Sequence, residues 1–124
     1  MIQLNSELLN ELNELGREIN QPLVEDLFKS LKQKGPVLLE EASTAYQEKN
    51  FVQLEKIIHQ LKGMAGSLGA YSVQDLCETI ENQAQLDSSA IKLSQIELLS
   101  ERMAETNIAL EVWLKDRPFF IQAA

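Results

Sequence analysis

The stretch IIHQLKGMAGSLGA, residues 57–70, decides how this chain reads. It holds the one histidine, His59, and three of the five glycines, Gly63, Gly66 and Gly69. The spacing around it is helical. Phe51, Leu54, Ile58, Leu61, Ala65 and Leu68 recur every three or four residues, and Ile57 and Met64 widen the stripe. At 100° per residue this stripe centres roughly 130° from His59. His59 is therefore expected to face solvent on a helix covering about 51–68. Glu55, Lys56, Lys62, Gly63 and Gly66 all fall within about 60° of it. A lone exposed histidine or lysine is ordinarily just a solvated side chain. The glycines set this one apart, because glycine inside a helix costs about 1 kcal/mol relative to alanine. Gly63 and Gly66 fit a surface cleared for close approach, and Gly69 fits a left-handed C-cap.

Outward from this helix the pattern stays helical. NSELLNELNELGREI places Leu8, Leu12 and Leu15 on one face, with Asn5 or Ser6 as the cap. A second helix is expected from about Pro22 to Glu48, with Leu23, Leu27, Leu31, Leu38, Ala42 and Ala45 inward. Pro36 must kink or split it, and one long kinked helix is the favoured reading. Lys49 and Asn50 form a turn. Ser72-Val73-Gln74-Asp75 resembles a capping box for a fourth helix that buries Val73, Leu76, Cys77, Ile80 and Ala84. LDSS at 86–89 breaks the chain again. A fifth helix is expected over about Ala90–Lys115, with Ile96, Leu99, Met103, Leu110 and Trp113 inward. Phe119, Phe120 and Ile121 are expected to fold back or stay loose. Short links between long amphipathic helices predict an all-α fold, an antiparallel four-helix bundle with an additional N-terminal helix.

Composition narrows the function classes. The 124 residues, 44% of them hydrophobic, fit a single domain spanning 1–124. A net charge of -8 disfavours nucleic-acid binding and contact with an anionic membrane surface. Cys77 is the lone cysteine, so no internal disulfide forms, and the chain fits a reducing, cytoplasmic setting. No apolar stretch approaches the roughly 20 residues of a membrane span. A di-metal bundle site needs several Glu and Glu-x-x-His pairs, which one histidine does not supply, so no metal site is expected.

What remains is an accessible imidazole beside a lysine. Near neutral pH an imidazole is substantially uncharged, and its free nitrogen is a nucleophile. Lys62, one turn on, is placed to pair with an anion carried there.

These residues carry a family resemblance. His59-Gln60-Leu61-Lys62-Gly63, continuing Ala65-Gly66-Ser67-Leu68-Gly69-Ala70, resembles the H-x-L-K-G signature of histidine-containing phosphotransfer (HPt) domains. Leu76, Cys77 and Glu78, ending in Ile80-Glu81, look like the L-C-x-x-L/I-E stretch of that family's next helix. Asn50-Phe51 with Leu54 resembles the D-[WF]-x-x-L entry to its histidine helix. The resemblance implies that His59 is phosphorylated. It implies that the phosphoryl group passes to and from aspartates on receiver domains of a hybrid sensor histidine kinase or a response regulator. Lys62 would stabilise the phosphohistidine and Gly63 would leave room for the docking receiver. Gly66, Lys56 and Glu55 complete the expected docking face. Mg²⁺ would belong to the partner, with no cofactor in this chain. The chain would be a monomeric phosphocarrier without kinase activity of its own. Some members place a Gln opposite the histidine; the matching position here is Glu81. A carboxylate is a poor neighbour for a phosphate, so that role is not carried over.

Two other readings compete. A histidine-kinase dimerisation helix typically reads H-E or H-D with a proline five residues on, whereas Gln60 and Met64 stand here, and no glycine-rich ATP segment is present. A helical adaptor would bind a receiver or kinase with His59 incidental.

Overall fold

The computed structural model describes residues 4–117, so the expectation for Phe119, Phe120 and Ile121 lies outside the described residues. Five α-helices follow one another: α1 Ser6–Ile19, α2 Leu23–Gln47, α3 Phe51–Ser67, α4 Tyr71–Leu86 and α5 Leu93–Asp116. A 3₁₀ turn, Ser88–Ala90, precedes the last. The architecture is all-α, and α2 to α5 form the antiparallel bundle.

Helix length sets the arrangement. α2 has 25 residues and α5 has 24, against 17 in α3 and 16 in α4. At about 1.5 Å per residue, α2 and α5 overhang the α3–α4 pair by roughly 12 Å. Arg102, only midway along α5, already reaches the Ser72 carbonyl at the start of α4 at 3.0 Å. The overhang would expose apolar surface. α1 covers it, starting where α3 ends: the Asn5 N–H donates to the Gly69 carbonyl at 2.9 Å and Leu4 bridges Ala70. Gly69 is obligatory here, since its φ is +63° and an added Cβ would meet the Asn5 Cβ at 2.5 Å.

The core is one apolar cluster drawn from all five helices. It includes Leu54, Ile57, Ile58, Leu61, Ala65 and Leu68 from the histidine helix and its cap, with Phe51 and Met64 partly buried, as their spacing predicts. The expected inward residues of α4 and α5 are likewise buried.

Four local expectations need correction. On α1 the buried residues are Leu9, Asn13 and Gly16, and Leu15 is 48% exposed. The reason is the next turn: the Gln21 N–H donates to the Gly16 carbonyl at 2.8 Å, and a Cβ at 16 would collide with Gln21. That closure turns the Gly16 side inward. At the start of α2, Val24 and Phe28 are buried while Leu23 and Leu27 are half-buried. The favoured reading of one long helix holds, since α2 runs through Pro36 without splitting. At α4 no capping box forms. The helix begins at Tyr71, behind an Ala70 tied down by its bridge to Leu4. Finally, α5 begins at Leu93 rather than Ala90. Asp87 closes the 3₁₀ turn by accepting from the Ser89 N–H, and buried Ile91 leaves it in an extended conformation.

Candidate functional site

α3 starts cleanly because the Asn50 side chain accepts from the Gln53 N–H at 3.2 Å. From that start His59 falls at mid-helix on the outer face, its side chain 75% exposed. α4 returns antiparallel beside it. Gly66 lies opposite Gln74, and His59 lies opposite Glu81, about two turns further along both helices.

Glu81 is the organising residue. Its Oε1 lies 3.1 Å from His59 Nδ1, and its Oε2 accepts from Lys62 Nζ at 2.9 Å. The Glu81 side chain is only 16% exposed. Burial pushes its carboxyl upward, but the hydrogen bonds from Lys62 and His59 outweigh this and hold it below the ordinary carboxylate range. The hydrogen bond to Glu81 in turn keeps the Lys62 ammonium above its usual value. An ionised carboxylate only accepts, so Nδ1 must carry the proton of the contact. In the neutral imidazole that leaves a lone pair on Nε2.

Cys77, one turn before Glu81, is the other nucleophile type near the site. Burial, with the Glu81 charge beside it, pushes its thiol up to about 12, so it stays protonated and unreactive.

The expected site residues separate into four groups. His59 and Lys62 are brought together, through Glu81. Gly63 is open: an added Cβ would have nothing within 4 Å. Gly66 is not open in the same way, because its Cβ would sit 3.2 Å from the Gln74 amide, so its smallness serves the α3–α4 contact. Lys56 is exposed and Glu55 half-buried on the same face, and neither forms an ion pair among the described residues.

Sequence reasoning missed two features. Val52 is 66% exposed and lies about 20° from His59 on α3. The angular count that placed the glycines would have found it. The second is what Glu81 does: the resemblance located the position, but not that a carboxylate there would hold both His59 and Lys62.

Among the described residues no helix is long and apolar enough to cross a membrane, and no group of three or more His, Cys, Asp or Glu side chains is placed to hold a metal ion. The family model of the Hpt domain matches residues 3–109. No curated protein and no solved structure matches the chain.

Proposed function

Because the chain belongs to the Hpt domain family, whose members are phosphocarrier modules of two-component phosphorelays, we propose that His59 carries the phosphoryl group and exchanges it with receiver-domain aspartates. The observation that carries this reading is the exposed imidazole whose Nδ1 is engaged by Glu81, with Nε2 left as the reacting nitrogen.

The step balances without an added base. The Nε2 lone pair attacks the phosphorus of an aspartyl phosphate on the receiver. The N–P bond forms as the P–O bond breaks, and the bond pair leaves with the aspartate carboxylate. The Nδ1 proton stays in place, and Glu81 stabilises the positive ring that develops. The reverse step returns the group to a receiver. Lys62 lies one turn from the imidazole, where an ammonium stabilises charge on the transferring group. In this reading any Mg²⁺ would belong to the receiver, where it would supply charge neutralisation, and no residue of this chain is assigned to hold it. Gly63, with open space beyond it, admits the receiver's backbone to the histidine. Exposed Val52 gives the same face an apolar contact. The protein acts as a monomer in the cytoplasm, and no autonomous kinase step is assigned to it.

Incubation with a phosphorylated receiver is the direct test. The expected result is an acid-labile, base-stable label on the wild-type chain that is absent from His59→Gln. Failure to label, both with receivers and with a small-molecule phosphoryl donor, would replace this reading with that of a helical adaptor.

A further inference from the structure

The contact that orients His59 also occupies Lys62, one turn along the same helix. Lys62 Nζ donates to Glu81 Oε2 at 2.9 Å while Glu81 Oε1 faces Nδ1. With the imidazole neutral, these three side chains sum to zero charge. A phosphoryl group on Nε2 carries close to two negative charges on its oxygens, while the ring, still protonated at Nδ1, takes one positive charge that Glu81 Oε1 faces, so the site gains one net negative charge. Two anions then claim one ammonium. Glu78 adds a further negative influence on Lys62 from the same helix. The Glu81 carboxylate has a fixed seat, since α4 buries Cys77, Ile80 and Ala84 around it and only 16% of the side chain is exposed. A neutral acceptor at this position would still hold Nδ1 and would leave Lys62 to the phosphoryl group.

Resting on the phosphotransfer reading, we infer that Glu81 is a positioning residue that competes with the phosphoryl group for Lys62. The cost of withholding that lysine outweighs the pairing of Glu81 with the protonated ring, so the carboxylate raises the free energy of phosphohistidine and biases net flow from this chain onto a receiver. The same carboxylate readies the nitrogen for attack and shortens the life of the product. A carrier built this way passes its group on rather than storing it.

The test uses phosphoramidate, which needs no partner. Phosphorus leaves the donor nitrogen for Nε2, and the departing nitrogen takes up a proton and leaves as ammonia. The half-life of the label and the labelled fraction are read by ³¹P NMR for the wild type, Glu81→Gln, Lys62→Met and the double variant. Gln keeps an oxygen for Nδ1 and nearly the same volume. Glu81→Gln is expected to lengthen the half-life about fivefold, the scale of one ion pair. In the Lys62→Met background the same exchange is expected not to lengthen it, because the contested cation is gone and only the pairing of Glu81 with the ring is lost. An unchanged or shorter half-life in Glu81→Gln overturns the inference. So does an equal lengthening with and without Lys62, since competition for that lysine would then not be the cause. A wild-type chain that neither phosphoramidate nor a phosphorylated receiver labels overturns the phosphotransfer reading, and this inference with it.

Discussion

Helices α1 and α3 are both amphipathic, and they meet the rest of the molecule differently. α3 lies between α2 and α4 and packs extensively on both. Its inward side chains Leu54, Ile58 and Leu61 are fully buried, which leaves a narrow outer strip around His59. α1 packs chiefly on α2, at the overhang. It buries Leu9, Asn13 and Gly16 and leaves Leu15 and Ile19 about half exposed. A helix flanked on two sides has one rotation that satisfies both neighbours. A helix supported on one side takes its rotation from the turns at its ends, here Asn5 against Gly69 and Gln21 against Gly16. Its buried face can then include an asparagine whose Oδ1 has no hydrogen-bond partner among the described residues.

The comparison breaks most visibly at Leu61. Leu61→Ala is expected to cost about 2–5 kcal/mol of stability, as for other buried leucines. Its outer-face neighbour His59→Gln should cost less than about 0.5 kcal/mol. Urea unfolding of the two variants checks this, and similar midpoints would mean that α3 is not two-faced.

On α1 the paired test is Leu9→Ala against Leu15→Ala. The first is expected to lose about 2–4 kcal/mol and the second under about 1 kcal/mol. The reverse order of thermal midpoints would restore the Leu8, Leu12, Leu15 face.

Glycines give the next contrast. Gly69→Ala is expected to destabilise by about 1–3 kcal/mol, since its backbone is left-handed and its Cβ meets Asn5. Gly63→Ala, in open space on a helix, is expected to stabilise by up to about 1 kcal/mol. Gly63→Gln is expected to keep helicity by circular dichroism and slow transfer by obstructing docking; an unchanged rate would remove the docking explanation.

The smallest effect is at Glu81 and depends on pH. The folded chain holds this carboxyl below its ordinary value. Its stabilising contribution is therefore present above the unfolded carboxylate range and lost as pH falls through the folded value. The difference in urea midpoint between wild type and Glu81→Gln is expected to shrink between about pH 7 and pH 3. A difference that stays constant with pH would show that ionised Glu81 contributes nothing to folding.

The fold and half of the site follow from local rules. Periodicity alone marks five helices, the buried stripes of α3, α4 and α5, and an outward histidine with Lys62 and Gly63 beside it. Those properties depend on neighbours three or four residues apart, which the chain order fixes. Tertiary structure decides the rest. The rotation of α1 depends on where Asn5 and Gln21 are tied down, and the start of α4 depends on Leu4 reaching Ala70 from far along the chain. Gly66 turns out to serve packing against Gln74, a residue of another helix. Above all, the role of Glu81 needs α3 and α4 side by side, because one carboxylate reaches both His59 and Lys62 only once the register brings its two oxygens between them. A charge's effect depends on distance and burial, and neither exists until the helices pack.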